Sequence, residues 1–191
     1  QTKSEGKKNE IKAVQSLIET LELHNATVTL DAMHCQKATA ALLRKRGANY
    51  VLCVKNNQKG LREELQWWFD GFAGNWPANV STFEQTDAGH GRIEVRRYVQ
   101  LPITDALTRA KGWQDARSII RVERERHMGN KITSESVYYI SSHEPNAVFI
   151  AEAIRSHWEV ENKAHWVLDV VYKEDDSRIR SGDGAQNVGL V

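Results

Sequence analysis

The sequence predicts an α/β fold, and three observations carry that reading. A short β-prone run, a helix and a second apolar run follow one another across residues 27–55. The pattern turns to β across residues 83–142, and a helical stretch runs from about residue 146 to 172. The layout is an α/β core interrupted by a mostly β insertion and completed by one long helix.

Taken in order, the opening residues are polar and extended. Asn9 is placed to cap a helix to about residue 23, with Ile11, Val14, Leu17, Ile18 and Leu21 on one face. Residues 27–30 (TVTL) are β-prone and stop at Asp31. Residues 35–46 read as a helix closed by Gly47 as its C-cap. Residues 49–55 (NYVLCVK) form a second, more continuously apolar strand. Strand, helix and strand at this spacing make a βαβ unit, whose strands pair in parallel. Ligands of open α/β sheets sit beyond the carboxyl ends of the strands, where Asp31 falls. An Asp there also serves equally well as a turn or cap residue.

After the NNQKG turn, residues 61–69 read as a helix whose Trp67, Trp68 and Phe69 face a core or the next module. Ile93, Val95 and Tyr98 mark one strand. Residues 118–126 and 134–140 are two more strands around a Met128-Gly129-Asn130 turn. Pro145 closes this region, so the chain divides into residues 1–58, 59–145 and 146–191.

A chain of 191 residues suits one domain with an insertion or two small domains. At 40% hydrophobic and 27% charged residues it has the composition of a globular protein. No apolar run reaches membrane-spanning length, and the N-terminus has no apolar signal region, so no membrane partner is expected. Its two cysteines, Cys35 and Cys53, form neither a disulfide framework nor a CxxC pattern, and a reducing cytoplasm is the expected compartment. A net charge of +1 excludes little, but the arginines cluster locally. Arg44 with Arg46, Arg92 with Arg96 and Arg97, Arg121 with Arg124 and Arg126, and Arg178 with Arg180 are arranged as phosphate contacts or as ordinary surface charge.

Residues 157–176 (HWEVENKAHWVLDVVYKEDD) are the most informative stretch. His157, Glu161, His165 and Asp169 recur every four residues and form a polar stripe beside Val160, Ala164, Val167 and Val171. Carboxylates on a half-buried helix suit metal binding, although such a stripe is more often a solvated face. The His/Glu/His spacing imitates a zinc site without the compact HExxH arrangement.

The run extended to residue 180 (HWEVENKAHWVLDVVYKEDDSRIR), with KNEI at 8–11, TLDAMHCQK at 29–37, YVLCVKNNQ at 50–58, GHGRIEVRR at 89–97 and YYISS at 138–142, spans nearly the whole chain. In that order they resemble the DDE-class transposases of bacterial insertion sequences, in particular the H-repeat-associated proteins. The resemblance implies a ribonuclease-H-like core, a DNA transposase activity that cleaves element ends and transfers strands, and three acidic residues binding two Mg²⁺ ions, with Mn²⁺ as a substitute. Hard Mg²⁺ favours carboxylates, water and phosphate oxygens. Two ions a few ångströms apart activate the attacking oxygen and stabilise the leaving one.

Carried onto this sequence, Asp31 matches the second catalytic Asp and Glu161 the catalytic Glu, and Asp169 is the further candidate metal ligand beside Glu174 and Asp175. His157 stands where the family has a phosphate-contacting Arg, while Trp158 and Asn162 would fix the helix and the DNA end. Lys55, Asn57 and Gln58 are candidate DNA contacts, as are Arg92, Arg178 and Arg180. The partners implied are double-stranded DNA, both transposon end and target, and a second copy in a homodimer. The family's first catalytic Asp has no counterpart, because residues 1–30 contain no Asp. The chain therefore reads as a fragment or truncated copy with an incomplete metal site. The alternatives are a non-catalytic DNA-binding or regulatory remnant, and another nuclease on the same fold.

Overall fold

A computed structural model describes residues 7–72, 74–89 and 92–160 of the chain. The first helix, α1 (Lys7–Thr20), begins two residues before the expected Asn9 cap and stops earlier than expected. Its end has a local cause: the Thr20 hydroxyl donates to the Leu17 carbonyl at 2.8 Å and competes for the acceptor that would continue the helix.

The βαβ unit follows as expected. Strand β1 (Thr27–Leu30), a 3₁₀ turn (Ala32–His34), α2 (Lys37–Lys45) and β2 (Asn49–Val54) succeed one another. β1 and β2 pair in parallel, Thr27 opposite Asn49 and Leu30 opposite Leu52. Gly47 ends α2 at φ +76, its N–H donating to the Arg44 carbonyl at 3.0 Å. β2 is buried from Tyr50 to Val54, because both its faces are covered.

A helix α3 (Lys59–Phe72) leads into β3 (Ser81–Gly89) and β4 (Arg92–Pro102). A one-turn α4 (Thr108–Lys111) precedes β5 (Ser118–Met128), β6 (Lys131–Ser141) and α5 (Ala147–Val160). All six strands form one sheet in the order β1-β2-β6-β5-β4-β3, mixed because β6 joins β2 antiparallel. The α/β reading therefore holds, and the β-rich stretch extends the same sheet as the βαβ unit. β5 and β6 meet at a two-residue turn in which Gly129 takes φ +57, a conformation that suits glycine.

Each face of the sheet carries its own apolar layer. Leu43 of α2, Leu65 and Phe69 of α3, and Tyr50, Leu52 and Ile140 of the sheet fill one layer. On α3, Phe69 is buried but Trp67 is 71% exposed, so the three aromatics do not share one face. Val51, Cys53, Ile120, Val122 and Tyr139 form the other layer beneath Ile150 and Ile154 of α5. Burying a side chain of this size contributes roughly 1.5–3 kcal/mol. α5 is thereby fixed across the sheet, with its carboxyl-terminal turn over β1 and β2. Among the described residues no helix is long and apolar enough to cross a membrane.

Candidate functional site

Asp31 immediately follows β1 and takes extended backbone angles, φ −61 and ψ 162, at the entrance to the 3₁₀ turn. It makes no side-chain cap bond, and its side chain is 62% exposed. The carboxylate is therefore turned outward at the carboxyl end of the strand, where open α/β sheets bind ligands.

α5 brings His157 to the same place. Its Nδ1 lies 3.2 Å from Thr29 Oγ1 and its Nε2 lies 3.3 Å from Asp31 Oδ1. A carboxylate accepts hydrogen bonds, so Nε2–H donates to Asp31, while Nδ1 meets the Thr29 hydroxyl, a group that can donate or accept. Trp158 stands edge-on to His157, ring centroids 6.0 Å apart, and is 40% exposed. A cavity of about 170 Å³ opens here, lined by Asp31, Lys55, Glu135, His157 and Trp158 over a floor that includes Cys53.

The donor chemistry of this cavity is oxygen and imidazole. Burial pushes the Cys53 thiol up to about 11, which nearby Lys55 opposes and Asp31 reinforces. Burial also pushes the Cys35 thiol far up, so neither cysteine offers a thiolate near neutral pH. The Asp31 carboxylate is a hard donor with one hydrogen-bond partner among the described residues, which suits a hard divalent ion. No group of three or more His, Cys, Asp or Glu arranged to hold a metal occurs among the described residues.

The other expected residues fall in different places. Lys55 is exposed at the end of β2 and reaches the cavity. Asn57 donates to the Ala32 carbonyl, and Gln58 donates to the Cys35 carbonyl at 2.9 Å. Both amides thus tie the turn after β2 to the segment after Asp31. Arg92 is exposed at the start of β4 and away from Asp31. Glu161, Asn162, Asp169, Glu174, Asp175, Arg178 and Arg180 lie outside the described residues.

A larger cavity, about 340 Å³, adjoins the first and shares Arg124, Tyr139 and Trp158 with it. Arg92, Arg96, Arg124, Arg126 and Arg155 line it around the buried Glu94. Sequence reasoning noticed these arginine clusters but not their convergence. The signal was period two: positions 92, 94 and 96 share one face of β4, and 122, 124 and 126 one face of β5. Arg121 falls on the opposite face and lies over Phe69 and Trp76, 5.4 and 5.2 Å from their centroids.

Comparison with known proteins agrees with the resemblance read from the sequence. A family profile described as a transposase DDE domain matches residues 1–188. A putative transposase, YncI, of Escherichia coli O157:H7 is 35% identical over 201 residues, covering 100% of this chain and 50% of that protein. The H repeat-associated putative transposase YhhI of Escherichia coli K12 is 36% identical over 193 residues, 97% of this chain and 50% of that protein. The putative protein YbfL of the same strain is 37% identical with the same coverage. This chain thus spans about half the length of these curated relatives. No solved structure matches it.

Proposed function

The chain belongs to the DDE transposase family, and from that premise we propose that it forms part of a transposase that cleaves insertion-sequence ends and joins them to target DNA. The observation that carries this reading is the junction of β1 and α5, where His157 meets the exposed Asp31. Asp31 and Glu161 are the catalytic carboxylates, and Asp169 is a further metal ligand. Glu161 follows His157 by four residues in the sequence.

In this reading residues 1–58 and 146–191 belong to a ribonuclease-H-like core, and residues 59–145 are its β-rich insertion. Divalent ions, Mg²⁺ or Mn²⁺, supply charge neutralisation at the scissile phosphate when bound. His157 orients the Asp31 carboxylate, much as outer hydrogen bonds orient metal ligands. Lys55 lines the same cavity as Asp31, has no ion-pair partner among the described residues, and offers its ammonium to a phosphate oxygen. Trp158 offers an exposed ring on which a terminal base stacks, a contact worth roughly 1–3 kcal/mol. Double-stranded DNA is the substrate, and a homodimer on paired ends is the working assembly.

The test is end cleavage by the intact protein in Mg²⁺ and in Mn²⁺. Asp31→Asn and Glu161→Gln should each lower the cleavage rate by more than about 100-fold while leaving DNA bound. Unchanged cleavage in either variant would refute the assignment. DNA binding without any cleavage by the native protein would instead favour a regulatory, DNA-binding role.

A further inference from the structure

Five arginines line the cavity beside the Asp31 pocket against two acidic residues of the same lining, Glu94 and Glu159, the latter acting on Arg155. Glu94 and Asp87 each serve two guanidinium groups. Arg126 Nε lies 2.8 Å from Glu94, Arg155 lies 2.7 Å from Asp87, and Arg96 pairs with both carboxylates. Arg92 has no ion-pair partner among the described residues. Arg124 pairs with the exposed Glu135, but its Nε is buried and finds no hydrogen-bond acceptor among the described residues.

The strand register sharpens the point. Arg96 stands directly opposite Arg124 across β4 and β5, on the same face of the sheet. Like charges in that position destabilise a sheet. Burial lowers the affinity of Arg124 for its proton, and the charges of Arg126 and Arg96 lower it further, with Glu94 opposing. A cluster held against its own repulsion, with a donor left over, is a site prepared for an anion.

We propose that the arginine face of β4 and β5 is a phosphate-binding track along which a DNA strand runs into the Asp31 pocket, with Arg124 at the junction. The shared wall of the two cavities, Arg124, Val137, Tyr139, Ile154 and Trp158, makes the path continuous. Glu94 is the buried counter-charge that holds Arg96 and Arg126 in place. The identity of the polyanion rests on the transposase reading. The track itself rests on the geometry of these side chains.

The experiment is a fluorescence-anisotropy titration of the 191-residue chain with a labelled DNA duplex over a salt series. For the native chain the logarithm of affinity should fall linearly with that of salt concentration. Arg96→Gln and Arg124→Gln should each weaken binding and shrink that slope by roughly 0.9, the value of one lost phosphate contact. Arg124→Lys should restore the slope while binding more weakly, because it keeps the charge but loses the fork. Arg117→Gln, just before β5 and with its side chain 59% exposed, should behave as the native chain. Circular dichroism would establish that each variant folds. Should the partly buried arginines not tolerate change, Arg92→Gln on the exposed rim should reduce the slope equally.

Slopes unchanged in the Arg92, Arg96 and Arg124 variants, or no binding by the native chain at low salt, would overturn the track. DNA cleavage by the intact protein is read separately. An enzyme that cleaves but whose arginine variants bind normally would sink the track and leave the transposase reading standing.

Discussion

Glu94 is a carboxylate on a sheet face, 2% exposed, where an isolated charge would be costly. Burial pushes its carboxyl up, but the Arg126 hydrogen bond and the charges of Arg96, Arg126 and Arg124 outweigh this and hold it below its ordinary 4.5. A carboxyl lowered in the folded state contributes stability that is fully present above its unfolded value. That contribution is lost as pH falls through the lower folded value. Replacing Glu94 with Gln should therefore cost about 2 kcal/mol at neutral pH, because it leaves Arg96 and Arg126, diagonal neighbours across β4 and β5, without their shared counter-charge. Urea unfolding of both proteins across a pH series would check it. The gap between them should narrow as pH falls below 4.5. A gap that is constant or widens in acid would contradict this role for Glu94.

Turns and strand edges decide how much of each element could be read from sequence. The βαβ unit was legible because a β-prone run, a helix and a continuously apolar run follow one another and Gly47 punctuates them. The structure gives Gly47 a positive φ and sets His24 Cδ2 3.1 Å from where a Cβ would stand. Gly47→Ala should thus cost about 1–2 kcal/mol, from the left-handed backbone alone, and a thermal melt would detect it. A melting temperature at or above that of the native chain would mean the turn relaxes freely. The sequence does not mark β3. It is an edge strand whose exposed and half-buried residues alternate without a buried one, so its sequence STFEQTDAG carries little apolar signal. The arginine face was hidden for a different reason. Which of Arg96, Arg97, Arg121 and Arg124 share a side depends on strand parity, and whether two of them meet depends on register. Arg97 in fact turns away to pair with Glu84 and Glu125.

At the scale of the whole molecule, one mixed sheet is clamped between α1–α3 on one side and α5 on the other. That arrangement alone places His157 against Asp31, residues separated by 126 positions along the chain. The position of Asp31 at a strand end was legible from the βαβ pattern, and its likeness to a catalytic residue from the TLDAMHCQK motif. The approach of α5 was not, because packing of Ile150 and Ile154 on Val51 and Tyr139 fixes it, not any local signal. In the function proposed above, the Asp31 carboxylate itself binds the catalytic ion. Its most direct test is the metal preference of Asp31→Cys in DNA end cleavage by the intact protein. A thiolate in place of a carboxylate disfavours hard Mg²⁺ and accepts the softer Mn²⁺ better. Asp31→Cys should be inactive in Mg²⁺ and regain part of its cleavage in Mn²⁺. Native rates in Mg²⁺ would contradict it.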